Sequence, residues 1–181
     1  MTKSTFDPGL QGELEPYIRD VPDFPKEGIL FKDITPLLAS PSAFNLCLDG
    51  FDAVCTEDVE VVVGIESRGF IFGAALAAKK RIPFVPARKP GKLPEKTVRV
   101  EYALEYGTDS LEIHADALRK GQRVLIVDDL LATGGTAAAC GELVRQLGAE
   151  VSAFGFVIEL AFLGGAAKLA PAHVHTLIRY E

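Results

Sequence analysis

The sequence predicts an α/β fold, with a mostly parallel central sheet flanked by helices, and three observations carry that expectation. Two apolar runs, residues 59–65 and 124–127, lack polar alternation, as strands covered on both faces do. Two further β-prone runs lie at 82–86 and 151–158, and helix-prone stretches at 70–80, 113–120 and 136–147 alternate with the strands. Strands alternating with short helices build βαβ units with right-handed crossovers. In such sheets ligands sit beyond the carboxyl ends of the strands, so the residues after each strand are the candidates for function.

Taken in order, residues 1–16 hold no apolar stretch of the signal-peptide kind. The segment VPDFPKEGILFKDITPLL spends prolines and a glycine on turns yet carries a tight apolar cluster, and it falls outside the alternation. The 59–65 strand runs into the turn Glu66-Ser67-Arg68-Gly69, and the 70–80 helix follows. After the 82–86 strand comes KPGKLPEKTVRVEYALEYGTDSLEIH, whose opening Pro, Gly and Lys and two β-prone stretches around Gly107 predict a flexible loop running into a hairpin. Long connections of this kind in a compact domain are usually lids or binding loops. A helix is expected over 113–120, with His114 at its start. The 136–147 helix ends at Gly148, a suitable C′ residue. Near the C-terminus, the spacing of His173 and His175 puts both on one face of a strand; with no carboxylate or cysteine partner in sight, no metal site is expected there.

Bulk properties narrow the class. A chain of 181 residues with 48% hydrophobic and 24% charged residues suits one compact soluble domain with a real core, and no repeat or composition break divides 1–181. A net charge of -6 and a pI near 5.2 leave no broad basic face for nucleic acid, although a few local cations could still hold a small anion. No run reaches the roughly 18 apolar residues of a membrane span. Cys47, Cys55 and Cys140 are dispersed, which predicts free thiols packed as small hydrophobes in a reducing, cytoplasmic compartment.

Chemistry concentrates in VLIVDDLLATGGT. Asp128 and Asp129 stand at a strand's carboxyl end, and the turn Ala132, Thr133, Gly134, Gly135 leads into a helix that begins at Thr136. Free amides and the dipole at that helix start attract a phosphate, the threonines add hydroxyl donors, and the glycines let backbone approach closely. The acids would repel a phosphate but accept hydrogen bonds from a vicinal diol or hold a hydrated Mg2+. A ribose 5-phosphate fits both halves. Two carboxylates capping the next helix, or the acid pair of a receiver domain, are the competing readings. Neither the P-loop lysine pattern nor G-x-G-x-x-G is present.

These thirteen residues resemble the phosphoribosyl-diphosphate (PRPP) motif of the type I phosphoribosyltransferases. The resemblance implies that the 132–136 turn grips the 5-phosphate and that Asp128 and Asp129 face the ribose hydroxyls. PRPP needs a second anion site for pyrophosphate. Ser67, Arg68 and Gly69 at a helix start, with Arg88, Lys89 and Lys92 following the next strand, supply amides and cations for one, and the resemblance assigns that role to Ser67, Arg68, Gly69, Arg88 and Lys89. Mg2+ would bridge the diphosphate and ribose oxygens mostly through water, without an all-protein cage, close to Asp128 or Asp129. For the acceptor, Phe31 can stack on a planar base, and extended backbone at Leu30 to Lys32 can offer an N–H and a C=O to its edge; Phe31 taken alone could equally be a core aromatic.

VPDFPKEGILFKDITPLL, GIESRGFIFG, RKPGKLP, EYALEYGTDSLEIH, VDDLLATGGT and the ending HTLIRYE resemble, in order and spacing, the adenine-using members of that family. The resemblance implies an N-terminal hood over about 1–35, a flexible catalytic loop over about 88–112, adenine on Phe31, Glu105 as acid–base group with Tyr106 lining the loop, and Arg68 stabilising the departing pyrophosphate. It also implies Mg2+ dependence, purine salvage to AMP and a homodimer; Val21 and Leu160 are secondary candidates for packing near the base. Lys32 departs from the usual arginine, and a lysine cannot make planar bidentate contacts. A 6-oxopurine acceptor (xanthine or hypoxanthine) is the alternative reaction, and a non-catalytic PRPP-binding regulatory module the alternative class.

Overall fold

The computed structural model of the protein describes residues 4–103 and 107–181. Six parallel strands form the central sheet: β1 (Ser4–Phe6), β4 (Val61–Ile65), β5 (Phe84–Ala87), β8 (Arg123–Leu131), β9 (Glu150–Leu160) and β10 (His173–Tyr180), in the spatial order β1-β10-β9-β8-β4-β5. Two antiparallel ribbons stand apart from it, β2 (Arg19–Pro22) with β3 (Leu30–Asp33), and β6 (Thr97–Ala103) with β7 (Thr108–His114). The helices are α1 (Pro8–Leu14), α2 (Thr35–Ala39), α3 (Pro41–Gly50), α4 (Gly69–Lys80) and α5 (Gly135–Gln146).

Alternate residues of the central strands feed two cores, as a period of two requires. Val62, Leu125 and Val127 pack with Phe72 and Leu76 of α4 and with Cys47 and Leu48 of α3. Val61, Val63, Val124 and Ile126 pack on the other face with Cys140, Leu143 and Val144 of α5 and with Leu111 and Ile113 of β7. Both faces are covered, which is why these strands read as unbroken apolar runs. All three cysteines are buried free thiols, and burial pushes the Cys47 thiol up to about 12.

One expectation fails. Residues 113–120 are not a helix: Ile113 and His114 end β7, paired with Val98 and Thr97, and a turn follows. Leu111 and Ile113 are fully buried, so period-two pairing across the hairpin wins over local helix preference. His114 is therefore a strand-end residue rather than a helix start. His173 and His175 do share one face of β10: His173 Nε2 and His175 Nδ1 lie 2.9 and 2.8 Å from Thr5 Oγ1, and His175 Nε2 lies 3.1 Å from the Gly50 carbonyl, tying β1 to the sheet edge. Among the described residues no helix is long and apolar enough to cross a membrane.

Candidate active site

β8 ends in the two acids, and α5 starts after a tight turn. Gly134 caps α5 with φ +78°, and the helix's first amides have no intrahelical acceptor, so they face a cavity of ≈ 400 Å3. Ser67, Arg68, Lys89, Asp128, Asp129, Ala132, Thr133, Gly134, Gly135 and Thr136 all line that cavity, so ten of the residues singled out in the sequence converge there. The Asp129 N–H donates to Asp128 Oδ1 at 2.9 Å. Burial, followed by the charge of Asp129, raises the Asp128 carboxyl well above the usual range; burial raises Asp129 too, opposed by the Arg68 guanidinium, whose Nε lies 3.0 Å from Asp129 Oδ2. An acid pair held this way gains from any ligand that brings hydrogen-bond donors or a cation.

Gly69 shows how closely the second loop is seated. A Cβ there would fall 2.7 Å from the Val127 carbonyl and 2.9 Å from Asp128 Oδ1, so only glycine lets the start of α4 lie against the end of β8. Arg88, Lys89 and Lys92 are gathered by a residue to which the sequence reading gave no role, Glu66. Its Oε2 accepts the Lys89 N–H at 2.8 Å, while Oε1 accepts from Lys92 Nζ at 3.1 Å and Arg88 at 3.3 Å. Burial raises the Glu66 carboxyl, but those donors outweigh it and hold the group below its ordinary value. Arg88 and Lys92 are thus occupied by Glu66 instead of lining the cavity.

The β6–β7 ribbon reaches both Lys89 and the start of α5. Thr136 Oγ1 donates to the Tyr102 hydroxyl at 3.3 Å, Tyr102 donates to Asp109 Oδ2 at 3.3 Å, and Lys89 Nζ is paired with Asp109 and lies 3.3 Å from the Tyr102 oxygen. Neither Tyr102 nor Asp109 carried a local signal in the sequence; only the hairpin pairing, which sets Tyr102 opposite Asp109, brings them together. Glu105 and Tyr106 lie outside the described residues.

At the rim stands the β2–β3 ribbon. Phe31, half-buried, makes an edge contact with Phe24 (centroids 5.0 Å, 74°), pairs with Val21 across the ribbon, and has the Arg68 guanidinium 5.2 Å from its ring centroid. β3 pairs on one edge only, so its other edge keeps backbone groups at 30–32 open. The Lys32 side chain is turned to Asp20 and Tyr180. Leu160, at the end of β9, packs against the α3/α4 core.

Comparison with known proteins agrees with this geometry. The family described as "Phosphoribosyl transferase domain" matches residues 52–171. The chain is 63% identical over 158 residues, 87% of its length and 79% of the relative's, to an adenine phosphoribosyltransferase of Sorangium cellulosum (strain So ce56). A crystal structure of adenine phosphoribosyltransferase from Thermoanaerobacter pseudethanolicus superposes with a TM-score of 0.91 at 50% identity, covering 94% of this chain and 99% of that one. The Saccharomyces cerevisiae enzyme, complexed with an imino-altritol bisphosphate and adenine, superposes at 0.88 with 44% identity, covering 94% and 99%. The chain belongs to the phosphoribosyltransferase family and, within it, to the adenine phosphoribosyltransferases.

Proposed function

We propose that this chain serves purine salvage by transferring the 5-phosphoribosyl group of PRPP to adenine, giving AMP and pyrophosphate. The observation that carries this reading is the convergence, in one cavity, of a helix-start anion turn, two carboxylates and a second loop of amides and cations, with Phe31 at its rim reached through Arg68. The 132–136 turn holds the 5-phosphate. Asp128 and Asp129 accept hydrogen bonds from the ribose hydroxyls, and Ser67, Arg68, Gly69 and Lys89 receive the diphosphate, joined by Arg88 and Lys92 as they leave Glu66. Adenine stacks on Phe31, and the open edge of β3 reads its 6-amino edge with a carbonyl and the neighbouring ring nitrogen with an N–H.

N9 of adenine attacks C1 of the ribose as the bond from C1 to the diphosphate oxygen breaks, and that oxygen leaves with the electron pair. Glu105 takes the proton the purine loses, a contribution typically of ~10²–10⁴-fold for a positioned base. The cations around the diphosphate stabilise the charge it gains. Asp128 and Asp129 are hard oxygen donors facing the cavity, Asp129 Oδ2 is paired with the Arg68 guanidinium at 3.0 Å, and no three potential ligands cluster among the described residues. That donor set suits Mg2+ held mainly by substrate oxygens and water. When bound beside Asp128 and Asp129, Mg2+ would neutralise charge on the departing diphosphate.

A homodimer is the assembly the resemblance implies, and three buried thiols suit a cytoplasmic setting. Incubation with PRPP, Mg2+ and each of adenine, hypoxanthine, xanthine and guanine tests the reading. Nucleotide from adenine alone is expected, with Glu105→Gln lowering turnover while PRPP binding persists. Nucleotide from a 6-oxopurine would move the specificity, and PRPP binding without nucleotide from any base would make the chain a PRPP-responsive binding module.

A further inference from the structure

Lys32 carries a charge that the reaction above leaves without a task. Its residue is 8% exposed, on a strand whose Leu30 is 51% exposed. A buried ammonium needs compensating partners, and Lys32 has two of different kinds. Its Nζ lies 2.6 Å from Asp20 Oδ1, on the residue directly opposite in the β2–β3 ribbon. It also lies 3.7 Å from the ring centroid of Tyr180, the last residue of β10. The Asp20 contact joins the ribbon to itself, whereas the Tyr180 contact joins the ribbon to the central sheet. Tyr180 is a rigid abutment: it pairs in register with Leu160 and packs against the α3/α4 core. Burial, with Glu15 and Asp20 nearby, pushes its hydroxyl up to about 12, so the ring stays neutral and keeps its attractive face toward a cation.

Successive residues of a strand point to opposite faces. With Lys32 held against Tyr180 on one face of β3, Phe31 must point to the other, where Arg68 lies over its ring. We infer that Lys32 is a positioning residue for the acceptor base: its ammonium clamps β3 to Tyr180 and so sets the Phe31 face and the open β3 edge at a fixed distance from the ribose acids. This inference rests on Phe31 and β3 being the base site. It assigns the side chain at position 32 a role that needs no planar, bidentate contact with the substrate. An arginine could fill the same role, since a guanidinium also stacks on aromatic faces and pairs with carboxylates.

The test combines kinetics with a readout that does not depend on turnover. In Lys32→Met the KM for adenine should rise about 5- to 30-fold, the loss expected for one desolvated cation–π contact, while the KM for PRPP and kcat stay near wild type. Lys32→Arg should restore the adenine KM. Tyr180→Leu should reproduce the defect, and the double variant should be no worse than Lys32→Met, because that variant has already lost the contact to Tyr180. Hydrogen exchange of the ligand-free protein should show residues 19–33 exchanging faster in Lys32→Met, with β8 and β9 unchanged. An unaltered adenine KM in both Lys32→Met and Tyr180→Leu, equal losses for both substrates, or unchanged exchange over 19–33 would overturn the clamp. If wild-type protein formed no AMP, the proposed reaction would fail, and exchange in the same variants would still decide whether the clamp exists.

Discussion

Gly165 has no chemistry of its own, yet its replacement by alanine should damage PRPP use more than almost any change outside the cavity. It opens the 3-10 turn between β9 and β10 (Gly165–Leu169), whose backbone lies against the 132–136 turn. A Cβ at Gly165 would sit 2.1 Å from the Ala132 carbonyl oxygen and 3.0 Å from the Gly134 nitrogen, against a floor of 3.0 Å for real Cβ contacts. One backbone must therefore shift by about 0.9 Å at the Ala132 carbonyl. The turn cannot absorb that by sliding, because Ala137, Cys140 and Leu143 bury α5 immediately behind it. Misplacing a binding group by ~1 Å can cost ~10²-fold, and overpacking of this kind typically destabilises by ~1–3 kcal/mol. Gly165→Ala should accordingly lower kcat/KM for PRPP by ~10²-fold, mainly through KM, with a melting point lower by ~2–10 °C. Gly164→Ala is the matched control: its φ of +65° strains an alanine, but a Cβ there meets nothing within 4 Å, so stability should drop while the PRPP KM holds. A Gly165→Ala enzyme within ~3-fold of wild type for PRPP, or a Gly164→Ala enzyme equally impaired, would refute the argument that backbone contact sets the turn.

Three further outcomes follow from the site's charges and rings. Asp128→Asn should raise the melting point of the ligand-free protein at neutral pH while reducing PRPP use. The folded-state pKa of Asp128 is raised, so its favourable contribution is present below the ordinary carboxylate value and is lost as pH rises through the raised one; the variant's advantage in calorimetry should shrink on acidification. Asp109→Asn should lower the PRPP KM by up to ~5-fold in steady-state assays, because the Lys89 ammonium then has no carboxylate competing with the diphosphate, and a partly exposed pair of this kind is worth at most ~1 kcal/mol. Phe31→Ala should raise the adenine KM by ~5- to 100-fold with little change for PRPP, the range that a base-stacking contact of ~1–3 kcal/mol allows; an unchanged adenine KM would make Phe31 a packing residue only.

How far the sequence reveals this molecule depends on the range of the forces at each residue. β4 and β8 were legible because they are buried on both faces, which writes an unbroken apolar run into the chain, and the turn after β8 was legible because a phosphate-shaped backbone needs glycines and hydroxyls in consecutive positions. Residues 113–120 were misread because Leu111 and Ile113 take their conformation from partners Val100 and Val98 on β6, and pairing between strands leaves only a weak trace in one strand. Residues that hold the site together leave as little local trace, for the same reason. Glu66 gathers three cationic residues, but one of its contacts is to a backbone N–H and the others come from 22 and 26 positions along the chain, so no spacing announces it. Gly165 matters only because another backbone lies 2.1 Å from where its Cβ would be, and a glycine in a loop looks the same whether that neighbour is present or absent. Lys32 is the sharpest case. In the sequence it is a substitution beside the base platform; in the fold its ammonium is directed at Asp20 and Tyr180. Local motifs thus mark the groups that line the cavity, while the groups that hold those groups in place become visible only when distant strands are brought together.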